Sequence, residues 1–304
     1  MIYRDITTQD GVLHASRVVM GCMRINGMEK PQLERLISGA IERGVNFFDH
    51  ADIYGGGSCE EVFGKAYHGA RDKIIIQTKC AIRNGYYDFS KEHILEAVDA
   101  SLRRLGTDYV DVLLLHRPDT LMEPEEVAEA FDTLQKAGKV RAFGVSNENP
   151  MQMTLLGQFV KQPLLFNQLQ LSMTNTGMIN SGMCVNMQHD NGLDRDGSIL
   201  EYCRIHGVTI QAWSPFQYGF FSGAFIDSDK FPELNAKMQE MAAKYGTTKI
   251  GAATAWILRH PAKMQVISGT TRLDRLGEMC DATAVTLSRE DWYALYRAAG
   301  NIIP

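Results

Sequence analysis

Short, β-rich apolar segments alternate with longer segments of helical periodicity along almost the whole chain. The eight candidate strands span residues 17–21, 45–48, 73–78, 109–115, 140–145, 163–167, 208–213 and 265–267. They are continuously apolar, which is typical of parallel strands buried on both faces. Each connection is long enough to hold a crossover helix. The sequence therefore predicts an α/β protein whose strands close into a (β/α)8 TIM barrel.

Other local signals complete this prediction. The segment around Asp10-Gly11 is typical of a β-hairpin, which we expect to cap one end of the barrel. Two helical patterns, 232–246 and 288–300, exceed the simple repeat and predict two extra helices. The alternative fold, a doubly wound sheet, requires a dinucleotide-binding glycine motif directly after a strand, and no strand is followed by one.

Composition limits the possible partners. The chain has 304 residues with 45% hydrophobic and 22% charged residues and no linker-like stretch, so we expect a single domain, 1–304. A net charge of -5 without any Lys/Arg-rich segment argues against nucleic acid. The absence of a long apolar run predicts no membrane partner and a cytoplasmic location. Six cysteines without a CxxC pair indicate neither a zinc cluster nor a disulfide framework. The oligomeric state stays open.

Polar side chains follow nearly every candidate strand. In order along the chain they are Asp49 and Tyr54, Lys79, His116, Ser146 and Asn147, Asn167 and Gln168, and Trp213 and Ser214. Barrels of this type build their active sites at the C-terminal ends of their strands. We therefore expect these side chains to meet at one mouth of the barrel.

The first four of these side chains predict a proton donor. A free tyrosine has a pKa of about 10, and we expect the Lys79 ammonium to lower the pKa of Tyr54. Asp49 would hold Lys79 in place, because an unpaired ammonium is costly inside a barrel. His116 would hold a substrate carbonyl oxygen beside the Tyr54 hydroxyl.

Reduction of a carbonyl also requires a hydride, which no side chain supplies, so a nicotinamide cofactor is expected. Ser146, Asn147 and Gln168 offer donors and acceptors that suit a carboxamide, and Trp213 offers a flat face for a stacked ring.

Taken together, these motifs resemble the aldo-keto reductase family, and especially its bacterial YdhF-type branch, over nearly the whole chain. The matching motifs are DHADIYG, QTKC, LLLHRPD, GVSN, NQ and AWSPF, in the family's order. The resemblance implies NADPH-dependent reduction of aldehydes and ketones to alcohols, with NADH as a possible cofactor and a small-molecule carbonyl compound as substrate. It implies Asp49, Tyr54, Lys79 and His116 as the catalytic tetrad.

The resemblance also implies where the cofactor binds. Residues near the first strand border the nicotinamide, Ser214 to Gly223 pass over the pyrophosphate, and the segment after the eighth strand binds the adenosine 2′-phosphate through its arginines. The implied cofactor-binding residues are Gly21, Met23, Arg24, Asp49, Ser146, Asn147, Gln168, Trp213, Ser214, Pro215, Phe216, Gly219, Ser222, Gly223, Gly269, Thr270, Thr271, Arg272, Arg275 and Glu278.

Substrate contacts are expected from Tyr86, Tyr87 and Met122 and from the methionine-rich segment 172–197. The sequence does not specify the physiological substrate, the direction of the reaction or the preference for NADPH over NADH.

Two other functions stay open. One is an NADPH-binding regulatory or redox-sensing protein on a reductase scaffold. The other is a metal-dependent barrel hydrolase, suggested by the HxD spacing of His50 and Asp52. No second histidine pair on another strand accompanies these two residues, so no metal site is predicted.

Overall fold

The computed structural model describes residues 1–9 and 11–304 and contains a closed barrel of eight parallel strands. The strands are β1 (Tyr3–Thr8), β2 (Gly11–Ser16), β3 (Val18–Gly21), β4 (Phe47–Asp49), β5 (Ile75–Cys80), β6 (Val110–Leu115), β7 (Val140–Ser146), β8 (Leu164–Gln170), β9 (Thr209–Trp213), β10 (Gln217–Tyr218), β11 (Gly223–Ala224) and β12 (Gln265–Ser268). The barrel follows the order β3 to β9 and then β12, which pairs with β3. All eight candidate strands overlap these barrel strands, so the predicted fold is confirmed.

Helices surround the barrel. They are α1 (Lys30–Glu42), α2 (Ser58–Ala66), α3 (Lys91–Leu105), α4 (Pro124–Lys136), α5 (Pro150–Gly157), α6 (Gly177–Met183), α7 (Ile199–Ile205), α8 (Pro232–Tyr245), α9 (Lys249–Arg259), α10 (Leu273–Asp281) and α11 (Arg289–Ala298). Helix α3 begins after Ser90, whose hydroxyl accepts a hydrogen bond from the backbone N–H of His93, and ends at Gly106 in the left-handed conformation. In the described chain, no helix has the length and apolar character needed to cross a bilayer.

The two extra helical segments correspond to α8 and α11. They pack against each other, and Lys244 of α8 donates to Asp291 of α11 at 2.7 Å. Trp292 of α11 stacks on Trp256 of α9 with ring centroids 4.8 Å apart. These contacts fix α11 against the helical layer.

The N-terminal hairpin closes one end of the barrel. Strands β1 and β2 are antiparallel, with Thr8 opposite Gly11, while Asp10 of the predicted turn lies outside the described residues. Ile6 and Ala15 of the hairpin are buried in a cluster with inward-facing barrel residues such as Phe47. The predicted hairpin cap is therefore confirmed.

The strand period of two separates inner and outer side chains. On β5, Ile75 belongs to the cluster inside the barrel, whereas Ile76 and Cys80 belong to the larger cluster between barrel and helices. Gln77 and Lys79 share the face of Ile75 and are fully buried. Along β5 the inward-facing side chains thus change from apolar near the hairpin to polar near the opposite mouth.

Candidate active site

Four side chains meet at the polar mouth of the barrel around the ammonium group of Lys79. Its Nζ lies 2.8 Å from Asp49 Oδ1 and donates to the backbone oxygen of His50 at 2.7 Å. It also donates to the Tyr54 hydroxyl at 3.0 Å. Lys79 is fully buried, and Asp49 is 2% exposed. The three ammonium protons are therefore all used, and one of them is directed at the phenol.

The pKa of Lys79 is raised, because the attraction of Asp49 and Tyr54 outweighs the effect of burial. For Tyr54, burial is the largest influence and raises the pKa, while Lys79 opposes it. The net direction is upward, so the expectation that Lys79 lowers the pKa of Tyr54 below its ordinary value is wrong for the protein alone. The lysine limits the increase, and the phenol keeps its proton at neutral pH.

His116 lies beside the phenol. Its ring and that of Tyr54 are edge to face, with centroids 6.0 Å apart. Burial, and then the nearby cations Lys79 and Arg117, hold the pKa of His116 well below its usual range. His116 is therefore a neutral imidazole, which can donate one hydrogen bond without protonating a substrate itself.

The residues expected at the carboxamide form one hydrogen-bonded group. The indole N–H of Trp213 donates to Asn147 Oδ1 at 3.1 Å, and the Asn147 amide donates to Ser146 Oγ at 2.7 Å. The amide nitrogen of Gln168 donates to Asp49 at 3.0 Å, which leaves its carbonyl oxygen as the free end. Asn147 holds a left-handed backbone at φ 58°, a conformation that asparagine tolerates.

These groups line a cavity of about 1050 Å³, at the upper end of the range of about 300–1,000 Å³ for ligand pockets. Of the expected site residues, those that line it are Gly21, Met23, Arg24, Asp49, Tyr54, His116, Ser146, Asn147, Gln168, Trp213, Ser214, Pro215, Phe216, Gly269, Thr270, Arg275 and Glu278. Such a volume suits an extended ligand that runs from the tetrad towards α10.

Five expected cofactor-binding residues lie outside the cavity lining: Gly219, Ser222, Gly223, Thr271 and Arg272. Gly219 and Ser222 belong to the turn between β10 and β11, and Gly223 begins β11. Arg272 forms an exposed ion pair with Asp274. Arg275 of the same segment does line the cavity.

Gly269 lies next to the guanidinium of Arg24. Here Arg24 donates to the backbone oxygen of Gly269 at 3.1 Å. A Cβ atom at position 269 would lie 3.1 Å from the same guanidinium. Arg24 thus takes up the space next to Gly269 and places a positive charge at this side of the cavity.

Several lining residues were not expected from the sequence. Ile82 and Arg117 line the cavity near the tetrad, and Arg117 lies 5.7 Å from the ring of Trp213. Phe221 stacks on Trp213 with centroids 5.8 Å apart. Arg117 directly follows His116 at a strand end, so the rule that identified His116 also applies to it. In contrast, Tyr86, Tyr87 and Met122 do not line this cavity.

The other end of the cavity also has lining residues that the sequence did not indicate. Gln239, Thr248, Lys249 and Ile250 come from α8 and the start of α9. Lys249 pairs with Asp227 at 2.5 Å. These residues lie far along the chain from any strand end, and no motif marks them.

His50 and Asp52, the residues with metal-like spacing, do not form a ligand set. Both ring nitrogens of His50 are buried without a partner among the described residues, and the ring lies edge-on to Phe63. Burial and the charge of Glu60 raise the pKa of Asp52 to about 7. In the described part of the chain, no three His, Cys, Asp or Glu residues are placed to hold a metal ion.

The curated relatives are oxidoreductases. The chain is 36% identical to 6-dehydroglucose reductase of Agrobacterium fabrum, and the alignment covers 94% of this chain and 95% of that protein. It is 33% identical to oxidoreductase YdhF of Escherichia coli over 93% of each chain, consistent with the YdhF-type branch.

Solved structures share the barrel. An aldo-keto reductase from Klebsiella pneumoniae, solved with NADPH, superposes with a TM-score of 0.78 at 24% identity and covers 100% of this chain and 98% of its own. The thermostable aldo-keto reductase Tm1743, solved with the inhibitor epalrestat, gives a TM-score of 0.77 at 25% identity over 98% and 100%. The model of the Aldo/keto reductase family matches residues 17–299. This chain therefore belongs to the aldo/keto reductase family of NAD(P)H-dependent oxidoreductases.

Proposed function

We propose that this protein reduces aldehydes and ketones to alcohols with NADPH, and that Tyr54 is the general acid. The observation that carries the proposal is the hydroxyl of Tyr54, 3.0 Å from the fully buried ammonium of Lys79 at the wall of a large cavity. A buried ammonium beside a phenol stabilises the phenolate that remains after the proton is given away. Such a pair is suited to deliver a proton to a carbonyl oxygen.

Each tetrad residue has a separate task. Tyr54 holds the proton that goes to the substrate oxygen. Lys79 lowers the cost of the resulting phenolate, and Asp49 keeps the ammonium charged and in place. His116, neutral because of burial and nearby cations, donates a hydrogen bond that orients the carbonyl oxygen.

The raised pKa of Tyr54 fits a donor that works in the reductive direction. A phenol with a raised pKa is protonated across the neutral range, so nearly all molecules carry the proton before the reaction. Alcohol oxidation needs the phenolate instead. We expect reduction to be the favoured direction at neutral pH.

The cavity residues fit a nicotinamide dinucleotide. When bound, the cofactor supplies the hydride that side chains cannot provide. The free carbonyl oxygen of Gln168 accepts from a carboxamide, and Trp213 offers an aromatic face. At the other end, Arg275 lines the cavity and suits a phosphate. The Klebsiella pneumoniae structure was solved with NADPH, which supports the same cofactor here.

A sugar aldehyde is a reasonable first substrate to test. Two relatives are named 6-dehydroglucose reductase, one from Agrobacterium fabrum and one, 31% identical, from Novosphingobium aromaticivorans. Arg117 adds a guanidinium beside the tetrad, and its several N–H donors suit substrate hydroxyl groups. The substrate class we propose is a small aldehyde with polar substituents.

The regulatory alternative predicts NADPH binding without turnover. The hydrogen bonds that join Asp49, Lys79 and Tyr54 disfavour it, because a sensor has no need of a buried ammonium directed at a phenol. The hydrolase alternative has no ligand cluster to support it among the described residues.

A turnover assay separates these functions. Purified protein is mixed with NADPH and a panel of aromatic and sugar aldehydes, with and without a chelator, and loss of the reduced cofactor is followed by absorbance. We expect turnover that survives the chelator. Transfer of deuterium from C4 of labelled NADPH to the carbonyl carbon would identify the hydride step. Binding of NADPH without any turnover would favour the regulatory function instead.

A further inference from the structure

We infer that Gln77 is a positioning residue that holds the carboxylate of Asp49, as the first member of a glutamine network inside the barrel. The inference deepens the proposed function and rests on it, because Asp49 matters here through Lys79 and Tyr54. We call Gln77, Gln168, Gln211 and Gln265 the glutamine network. None of its members carries a charge, and Gln77, Gln211 and Gln265 are fully buried.

The network begins at Asp49 Oδ1. Gln77 Nε2 donates to this oxygen at 2.5 Å, and Gln168 Nε2 donates to it at 3.0 Å. The same two amide groups donate to Gln211 Oε1 at 2.9 Å and 3.1 Å. Two amide groups, those of Gln77 and Gln168, thus bridge Asp49 Oδ1 and Gln211 Oε1.

From Gln211 the network continues to the hairpin. Gln211 Nε2 donates to Gln77 Oε1 at 3.0 Å and to Gln265 Oε1 at 2.9 Å. Gln265 Nε2 donates to the backbone oxygen of Ser16 in β2 at 2.9 Å. A continuous set of hydrogen bonds therefore joins the capped end of the barrel to the catalytic carboxylate.

The orientation of the amide groups follows from the two groups at the ends of the network, the Asp49 carboxylate and the Ser16 backbone carbonyl. A carboxylate and a backbone carbonyl only accept hydrogen bonds, so Gln77 and Gln168 must present their NH₂ groups to Asp49, and Gln265 must present its own to Ser16. Gln211 then has one arrangement that satisfies all its neighbours. Fully satisfied buried networks are rigid and specify one geometry.

This geometry fixes the direction of the Lys79 protons. Asp49 is held by Gln77 and Gln168, so the ammonium that it binds has one position, with His50 and Tyr54 as its remaining acceptors. Without Gln77, the carboxylate loses its shortest hydrogen bond and can turn away. The Lys79 proton directed at Tyr54 would turn with it.

Sequence patterning is consistent with this role. Gln77 lies two residues before Lys79 on β5, and Gln211 lies two residues before Trp213 on β9. A side chain two positions from a cavity residue shares its face of the strand. Gln77 itself does not line the cavity, so it acts through Asp49 and not by touching a ligand.

The test compares Gln77→Met with Gln265→Met. Both changes remove one buried amide of the same network and keep a similar side-chain volume, but Gln265 makes no contact with Asp49. We expect Gln77→Met to lower kcat about 10–100-fold. The loss should appear in kcat and not in the KM for the aldehyde, because Gln77 does not line the cavity. Gln265→Met should keep the parent kcat and the parent KM.

A second variant, Gln77→Glu, should introduce a pH dependence that the parent lacks. The introduced carboxyl group lies beside Asp49, so one of the two carboxyls keeps a proton to a higher pH than usual. When protonated it can donate to Asp49 as the amide did, and when ionised it repels Asp49. We expect activity near that of the parent at low pH and a steep fall as the pH rises. Gln211→Met replaces Gln77→Met if the latter fails to fold, with a smaller loss of kcat expected.

The outcomes are distinguishable from failure of the proposed function. An inactive parent protein rejects the proposed function, and the inference falls with it. An active parent whose Gln77→Met and Gln265→Met variants lose equal stability and equal kcat, and whose Gln77→Glu variant keeps the parent pH profile, rejects the inference alone. NADPH binding, followed by fluorescence, should stay within about twofold of the parent in both methionine variants, because neither residue lines the cavity.

Discussion

Asp49 and Glu148 are equally buried carboxylates in opposite situations. Each is 2% exposed. Asp49 lies inside the barrel and receives hydrogen bonds from Lys79, Gln77 and Gln168. Glu148 lies in the short connection between β7 and α5, and neither of its carboxylate oxygens has a partner among the described residues.

Burial without hydrogen-bond partners changes the pKa of Glu148. It raises the pKa of this carboxyl group to about 8, with burial as the only cause. Asp49, in contrast, is buried against the ammonium of Lys79 and the amide donors of Gln77 and Gln168. The comparison shows that hydrogen-bond donors surround the carboxylate that holds Lys79. The carboxyl group of Glu148, which has no donor, keeps its proton to a higher pH than usual.

The largest loss of activity should follow from removing the Lys79 ammonium group, which pairs with Asp49. Lys79→Met takes away the ammonium that stabilises the phenolate, and we expect kcat to fall about 1,000-fold or more. It also leaves a buried carboxylate without its counter-ion, which should lower the free energy of unfolding by about 3–5 kcal/mol. Steady-state kinetics and urea unfolding measure the two effects.

A surface pair provides the control for this change. Lys91 pairs with Glu129 at 2.7 Å on the exposed face of the protein. Lys91→Met removes the same chemical group but should leave kcat and the unfolding midpoint unchanged. If both lysine variants lost the same kcat and the same stability, burial of the Lys79 ammonium could not be the cause of either loss.

Glu148→Gln should stabilise the protein increasingly as the pH rises. The folded-state pKa of about 8 lies above the unfolded value, so the parent loses stability as pH rises from the unfolded pKa towards about 8. The neutral amide avoids this loss. We expect the variant to gain on the order of 4 kcal/mol relative to the parent between about pH 5 and about pH 8.

Glu60→Gln is the matched control. Glu60 is also fully buried, but it accepts from Thr78 at 2.5 Å and pairs with Arg104 at 2.7 Å. Its replacement leaves the guanidinium without its partner and should destabilise the protein at neutral pH. Chemical unfolding across a pH series measures the free energy of unfolding of both variants. The same change in Glu148→Gln and Glu60→Gln would contradict the comparison.

The smallest effect should be on cofactor affinity, and it should follow from changes to arginines at the exposed rim of the cavity. Arg275 lines the cavity, whereas Arg272 is paired with Asp274. Arg275→Ala should raise the Kd of NADPH about 10-fold and leave that of NADH nearly unchanged, because one charge-assisted phosphate contact is lost. Arg272→Ala should change either Kd less than about threefold. Cofactor fluorescence titration measures both, and equal losses for NADPH and NADH would remove the phosphate role of Arg275.

Much of the fold and the tetrad was predictable from the sequence because both depend on local order. Strand identity follows from short apolar runs, and the ends of parallel strands converge wherever such a barrel closes. Asp49, Lys79 and His116 end successive strands, so their meeting needed no knowledge of the loops. The same reasoning identified the hairpin and both extra helices.

Other properties depend on packing that no motif records. The direction of the pKa shift of Tyr54 is set by how completely the folded chain covers the phenol. That Arg275 lines the cavity and Arg272 does not is set by where helix α10 places each side chain. Gln77 and Gln211 look like ordinary polar residues within apolar strands until the strand register places both inside the barrel.

The most direct test of the central claim is the Tyr54→Phe variant, which removes one oxygen atom and keeps the ring. Lys79 would still be held by Asp49 and by the backbone oxygen of His50, so the site should stay folded and bind NADPH as the parent does. We predict that reduction of an aldehyde slows about 100–10,000-fold in single-turnover experiments. A variant that reduces the aldehyde at the parent rate would show that the proton comes from elsewhere.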